Sequence, residues 1–394
     1  MEMDLHQKKS PTSLLIPKKL SMHTPIITHI STVHSAFDIR IFHKECRSLA
    51  ASGMRVNLIV THDKEERIDN VLIVPLPKFK NRFTRIFIKP FLAFSKALRT
   101  KADLFHFHDP ELIPIGLLLK VCGKKVIYDV HEDVSSQILD KYWIHKRLRA
   151  PISILFKTLE SFAARFFDGM VTSTPYIKDL FIKRNSININ NYPLNEEIMD
   201  YPPIIIKKKT KEKIITYVGG ISKERGIFEI LKAIEGTDIK LHLAGEASPK
   251  NLIKTLEMCP GWQNVVYFGQ VKRDKICSIL SNSQVGICLL HPTLTYVNSL
   301  PIKLFEYMGA GLPVIASRFP FWEYLLKDID NAVFVDPLNP EEIRKSINSL
   351  MEDEEKRMSM GKRGLRAVQE NYNWNREKEK LIHFYSQLGI GKIP

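Results

Sequence analysis

Cysteine is scarce and scattered in this chain, which excludes two classes at once. Cys46, Cys122, Cys259, Cys277 and Cys288 form no C-x-x-C pair, so neither a disulfide frame nor a thiolate zinc site is expected. Long apolar runs are also missing. The nearest, GLLLKVCG and FLAFSKAL, each carry a lysine and fall far short of the roughly 18–20 residues of a spanning helix. The opening MEMDLHQKKSPTS has no apolar core of the kind that marks a secretory leader. Residues 1–24 therefore read as a flexible arm on a cytoplasmic protein. Acidic charge is in deficit, with 43 Asp and Glu against 58 Lys and Arg and a net charge of +15. Basic side chains outnumber acidic ones 30 to 21 in residues 1–200 and 28 to 22 in 201–394. Such a balance suits nucleic acid, an anionic membrane surface or phosphate-bearing small molecules.

What is present is ordinary globular composition, 44% hydrophobic and 26% charged over 394 residues. That length exceeds one core and implies two domains. Short β-branched runs at 26–33, 56–60, 71–74, 104–107, 126–130, 169–173 and 187–190 alternate with helical periodicity at 40–52, 83–99, 111–121, 147–166 and 175–183. After a stretch with Pro193, Pro202, Pro203 and Lys207-Lys208-Lys209, a second series begins. Its strands are expected near 213–218, 239–244, 264–268, 285–289, 313–316 and 332–335. Its helices fall near 226–236, 249–257, 273–282, 301–309, 319–327, 340–351, 354–370 and 375–387. Alternation of this kind predicts α/β domains with doubly wound parallel sheets, whose ligands bind beyond the carboxyl ends of the strands. A cleft between two such domains is a natural ligand site.

Two segments concentrate the chemistry. NSLPIKLFEYMGAGLPVIAS, residues 298–317, reads as a greasy helix and a strand, with Glu306 set among apolar residues. A carboxylate there must be hydrogen-bonded or face a cleft. It either grips the two hydroxyls of a ribose or lies on the solvated edge of a core helix. YVGGISKERGI, residues 217–227, ends a strand in Gly219-Gly220 and opens a helix near Gly226. Backbone N–H groups at such a turn suit phosphate, and Arg225 adds a planar cation.

With both segments in place, the chain resembles the retaining glycosyltransferases of family 4 over residues 25–387. The resemblance rests on the strand-GG-x4-RG element at 219–226, the N-x7-E-Y-M-x-x-G-x-P-V element at 298–314, and Tyr372-Asn373-Trp374. It implies the GT-B fold, two Rossmann-like domains facing across a cleft. The acceptor-side domain would be 25–191, the linker 192–212, and the nucleotide-sugar domain 213–372. Residues 373–394 would form a helix crossing back to the first domain. Glu306 would take the ribose of a nucleotide diphosphate sugar, and Arg225 its diphosphate. Gly219, Gly220, Val271, Asn298, Leu300, Pro301 and Lys303 would line the donor site, with the base near 268–271. Two departures stand out: Gly220 occupies a position that is often Arg in the family, and Asn298 replaces the first glutamate of its E-x7-E pair. Lys303, three residues before Glu306, is the expected replacement cation.

In the first half, HFHDPE (106–111) and DVHED (129–133) follow strands. His106 and His108 would share one face at a sheet edge, without the third and fourth ligands that zinc needs, so no metal is expected. By the resemblance His131 reaches the transferred sugar and Arg225 the diphosphate; with Lys303 as the replacement cation and Asn298 in place of the glutamate, these four are the expected catalytic set. Glu132 and Asp133 either bind acceptor hydroxyls or cap the next helix. His34, Asp38 and Arg40 would lie at the mouth of the cleft beside His108. There Arg40 would meet a phosphate, and Asp38 would face the cleft or cap a helix. Asp328-Ile329-Asp330 reads as a charged surface turn. The stretches 78–101 and 141–149 interleave Lys and Arg with aromatic residues and suggest a surface that meets anionic lipid; no nucleic-acid module accompanies them. The expected protein is a retaining glycosyltransferase on the inner face of a membrane. It would act on a glycan or lipid-linked acceptor in cell-surface polysaccharide synthesis. A nucleotide-sugar epimerase or a non-catalytic glycan- or nucleotide-binding scaffold is the alternative. No cofactor is expected beyond the donor substrate.

Overall fold

The computed structural model describes residues 24–141, 143–196 and 212–391. The arm expected at 1–24, apart from Thr24, and the lysine run of the linker lie outside them. The first sheet contains β1 (Ile26–Ser35), β2 (Arg55–Thr61), β3 (Glu66–Ile68) and β4 (Val71–Leu76). It continues with β5 (Leu104–Phe107), β6 (Lys125–Val130), β7 (Gly169–Thr172) and β8 (Ser186–Asn188). Their order is β3-β4-β2-β1-β5-β6-β7-β8, parallel except for the β3–β4 pair. The second sheet contains β9 (Lys213–Val218), β10 (Ile239–Ala244), β11 (Val265–Gly269), β12 (Val285–Cys288), β13 (Val314–Ser317) and β14 (Ala332–Val335). It is parallel throughout, in the order β11-β10-β9-β12-β13-β14.

Helices cover both faces of each sheet, so central strands such as β12 (VGIC) and β13 (VIAS) are buried at every position. They accordingly read as continuous apolar or small residues, without alternation. Strand order reverses around β1 in one sheet and around β9 in the other. Those switch points place the loops after β1, β5 and β6, and after β9 and β12, where ligands bind in doubly wound sheets.

Some elements differ from the sequence pattern. The helix expected at 40–52 begins as a wide π-type turn over Ile39–Cys46, capped by Asp38, and tightens over Arg47–Ala51. The expected 83–99 helix is two helices, Arg82–Phe87 and Lys89–Arg99. Pro90 at the start of the second lacks an N–H and cannot continue the first. Strand β3 and the helix Leu294–Val297 were not anticipated, and the sequence pattern sets no bounds for the helix Val134–Asp140 that Asp133 caps, all being too short to show a period.

The last helix, Trp374–Gln387, packs on the first sheet. Tyr372 still belongs to the second domain, with its ring stacked on Phe305 at 5.3 Å. Asn373 caps the helix by accepting from Arg376 N. Trp374 then enters the first core and donates its Nε1–H to Ser48 Oγ at 2.8 Å. Farther along, Glu377 accepts from Asn190 N at 2.8 Å, and the Tyr385 hydroxyl meets His106 Nδ1 at 2.6 Å. Leu381 and Phe384 complete the buried face. Trp374→Ala should destabilise the first domain by about 3–5 kcal/mol, the usual cost of emptying a buried indole site. A urea-unfolding midpoint within error of wild type would show that the helix docks without contributing stability.

Candidate active site

In the second domain the site grows from the end of β9. Gly219 has φ +129°, a conformation that L side chains rarely adopt. A Cβ at Gly219 would lie 3.3 Å from Lys303 Nζ, so the ammonium sits against this turn. Lys303 is 5% exposed, with its Nζ 3.8 Å from the centroid of the Tyr217 ring. Among the described residues that Nζ has no hydrogen-bond acceptor. Tyr217 donates its hydroxyl to Gly220 O at 2.7 Å. Across the turn, the Arg225 guanidinium carbon is 3.7 Å from where a Gly220 Cβ would stand and 5.9 Å from the Tyr296 ring centroid. The structure thus brings Gly219, Gly220, Arg225 and Lys303 together around one turn.

Glu306 follows Lys303 by one turn of the helix Ile302–Gly309. Its Oε1 accepts from Arg273 Nη1 at 2.6 Å. Arg273 opens the helix Arg273–Ser281 just beyond Val271 and was missed in the sequence reading. The only available clue was that a half-buried Glu306 needs a cation. Leu300 and Val271 are partly buried against the core under this site, and Pro301 caps the helix bearing Lys303 and Glu306. Asn298 ends the short helix Leu294–Val297 and forms no hydrogen bond with these side chains. Asp330 lies away from them in an exposed ion pair with Arg363 at 2.8 Å.

The first domain contributes a buried polar cluster at the ends of β1, β5 and β6. Arg40 does not lie at the cleft mouth, as the sequence suggested; it is 4% exposed. Its Nε donates to Asp129 Oδ2 at 3.1 Å, Nη2 to Asp129 Oδ1 at 3.0 Å and Nη1 to Ile189 O at 2.8 Å. Apolar neighbours on its helix carry it inward, where Asp129 compensates its charge. Burial raises the Asp129 pKa, but Arg40, His131 and His108 outweigh it and hold that carboxyl well below the usual range. His131 Nε2 is 2.9 Å from Asp129 Oδ2, and His108 Nδ1 is 3.1 Å from it. His108 was expected at a sheet edge, whereas β5 is central and His108 is buried between β1 and β6. His34 does lie beside His131, with ring centroids 5.1 Å apart. Asp38 caps the following helix and also meets His34 Nδ1 at 3.3 Å. Glu132 accepts from the Gln137 side chain, while Asp133 caps the helix Val134–Asp140. That helix ends at Asp140, whose Oδ2 accepts from Thr295 Oγ1 at 3.1 Å. The contact joins the segment after His131 to the segment before Asn298.

The expectation that His106 and His108 lack further metal ligands is corrected by the tertiary structure. His29, Glu45, His106 and His108 bring donor atoms within 4.8 Å of one another, as do His108, Asp129 and His131. These residue types can hold a transition metal. The Arg40 guanidinium, however, already contacts Glu45 at 3.1 Å and Asp129 at 3.0 Å.

The domain architecture and the glycine turn after β9 define a GT-B protein. The profile of the family "Glycosyl transferases group 1" matches residues 203–367, and that of "Glycosyltransferase Family 4" matches residues 40–189. The chain belongs to the family 4 glycosyltransferases. The spore coat protein SA of Bacillus subtilis is 27% identical over 189 residues, 45% of this chain and 49% of that protein. The match therefore spans about half the length of this relative. Sucrose-phosphate synthase from Thermosynechococcus elongatus superimposes with a TM-score of 0.75 at 18% identity, covering 93% of this chain and 99% of that one. Anabaena Alr3699/HepE in complex with UDP-glucose gives a TM-score of 0.70 at 12% identity, covering 92% and 99%.

Burial pushes His108 down to about 4 against the opposing pull of Asp129. Between pH 6.5 and 4 the unfolded chain therefore binds a proton at this position that the folded chain refuses. Relative to His108→Gln, wild type should lose up to about 3 kcal/mol of stability as pH falls through that window. Urea midpoints measured on both proteins test this, and a pH-independent difference would contradict it.

Proposed function

We propose that this protein moves a sugar from a nucleotide diphosphate donor to a glycan or lipid-linked acceptor, with retention at the anomeric carbon. The observation that carries the reading is Lys303: a buried ammonium without an acceptor among the described residues, set against Gly219 with Arg225 on the other side. Burying an unpaired cation is costly, and a donor diphosphate would relieve that cost. As the glycosidic bond breaks, negative charge grows on the departing diphosphate, where both cations are already in position. Of the backbone N–H groups at the glycine turn, those of Gly219 and Ile221 already donate to Ala244 O and Glu246 O, which leaves Gly220 N as the further donor; with the two cations it would hold the diphosphate without a metal. Glu306 then binds the ribose hydroxyls, held in orientation by Arg273. His131 approaches the sugar from the other domain. Asn298 has no charge with which to act as a base, and glycosidase-type chemistry needs two carboxyl groups flanking one bond. Binding of UDP-glucose by a protein of the same fold supports a nucleotide sugar as the donor class.

We also propose peripheral attachment to the inner face of a membrane, in cell-surface polysaccharide synthesis. No helix of the described residues is long and apolar enough to span a bilayer. Phe83, Phe87 and Phe91 are exposed within the first basic stretch, and Trp143 in the second. Tyr142 lies outside the described residues, and Lys89 is withdrawn from this surface, buried with its Nζ donating to Thr32 O. Beyond the second stretch, the helix Lys146–Ala163 and the turn after it leave Leu148, Ile152, Leu155, Leu159, Phe162 and Phe166 exposed at helical spacing. An apolar stripe flanked by Lys and Arg is the composition of an interfacial helix.

Variant kinetics, donor screening and liposome flotation test these readings. Lys303→Met and Arg225→Met should each cut kcat by about 10²–10³, the usual cost of losing one preorganised charge contact. Lys303→Met should leave the melting temperature unchanged or raised, since it removes an unpaired buried charge; unchanged turnover would remove Lys303 from the mechanism. Thermal-shift screening against UDP-, GDP- and ADP-linked sugars identifies the donor. For the membrane, wild type should float with liposomes containing anionic lipid, while Leu155→Glu with Leu159→Glu should abolish flotation. No flotation of wild type with either anionic or neutral vesicles would end that proposal.

A further inference from the structure

The cluster beneath His131 holds more imidazole than sugar binding requires. His29 and His106 are paired on neighbouring strands β1 and β5, His108 follows the end of β5, and all three are buried, as is Glu45. Their hydrogen-bond distances leave few arrangements of protons. Asp129 is an ionised carboxylate and can only accept. Its Oδ2 lies 2.9 Å from His131 Nε2 and 3.1 Å from His108 Nδ1, and those two nitrogens are 3.2 Å from each other; hydrogen on both, shared by that oxygen, is the arrangement that turns no lone pair toward the carboxylate. Burial keeps His108 neutral, and a neutral ring with hydrogen on Nδ1 has a bare Nε2. That Nε2 is 2.9 Å from His29 Nδ1; two bare nitrogens would repel at this separation, so His29 Nδ1 carries hydrogen. His29, also kept neutral by burial, is left with a bare Nε2, a buried atom that finds no partner among the described residues. One charge thereby sets three tautomers in sequence.

The consequence lies at the other end of the chain. His131 retains 17% side-chain exposure, and its Nδ1 forms no hydrogen bond among the described residues. We propose that Asp129, clamped by Arg40, holds His131 in its Nε2–H tautomer, so that the ring offers a bare Nδ1 to a hydroxyl of the bound sugar, with His108 and His29 as positioning residues. The sugar hydroxyl is then the donor and His131 the acceptor. This inference rests on the reading of His131 as a sugar contact. It also gives Arg40 a role: without that cation, Asp129 would be a buried carboxylate able to take a proton, and the tautomers would lose their common reference.

The experiment is two-bond 1H–15N correlation spectroscopy of the full chain labelled with 15N-histidine. Single His→Gln variants assign the rings, and elemental analysis is run on the same sample. The expected result is His131 as Nε2–H, His108 and His29 as Nδ1–H, and no stoichiometric transition metal. Asp129→Asn should shift the His131 tautomer and lower kcat by about a hundredfold, with the donor KM within twofold. Should Asp129→Asn fail to fold, His108→Gln serves instead, with a smaller fall in kcat and an unchanged melting profile at pH 8. An Nδ1–H His131 in wild type, one equivalent of metal in the cluster, or wild-type turnover in a folded Asp129→Asn would each overturn the proposal. The spectrum requires no substrate. Absence of sugar transfer with these tautomers intact would therefore sink the transfer reading alone, and the wrong tautomer in an active enzyme would sink this proposal alone.

Discussion

The first domain depends on the buried pairing of Arg40 with Asp129. Arg40 arrives on the wide helical turn after β1, and Asp129 stands at the end of β6. Their two-pronged contact, with a third bond to Ile189 O, ties that turn to the carboxyl edge of the sheet. Neither charge could remain there alone, because an unpaired buried ion costs several kcal/mol. With both present, the local charge is balanced and Asp129 stays ionised. His131 and His108 take their orientation from that carboxylate, and His106 connects the same cluster to Tyr385 on the helix arriving from the second domain. The covalent return of the chain and the polar core thus meet at one place.

The second domain is organised the opposite way. There the cation is left without an acceptor: Lys303 is buried, yet among the described residues no hydrogen-bond partner reaches its Nζ. Its support is the face of Tyr217, which partly offsets desolvation through the ring quadrupole. Tyr217 also holds Gly220 O, so one aromatic residue places both the ammonium and the turn it borders. Satisfied charge on one side and unsatisfied charge on the other suit the proposed transfer, in which one wall would keep its shape and the other receive an anion. Glu306 stands between these cases, paired to Arg273 and retaining acceptor capacity for hydroxyls.

The outward stripe on the helix Lys146–Ala163 shows where periodicity misleads. Leucine, isoleucine and phenylalanine at helical spacing ordinarily mark the face that packs on a sheet. Here the inward residues are Ser153, Glu160 and Ala163, and Glu160 accepts from the Tyr128 hydroxyl at 2.9 Å. Burial pushes Glu160 up to about 7. A polar contact occupies the core side, and the apolar side is exposed among the described residues.

The residues alone determined the alternation of strands and helices, the two parallel sheets, the glycine turn after β9 and the helix carrying Lys303 and Glu306. These are local properties: β-branched runs, spacing of apolar positions, and glycine where φ must be positive. Tertiary structure decided which side of each element faces in, and which distant groups meet. It took Arg40 and His108 from the cleft to the interior, buried Lys303, and brought Arg273 to Glu306 across 33 positions of sequence. It also added His29 and Glu45 to a pair of histidines that had looked isolated. Periodicity tells which residues share a face but not where that face points. Strand order, set by long-range pairing, decides which loops become neighbours and therefore which charges compensate one another.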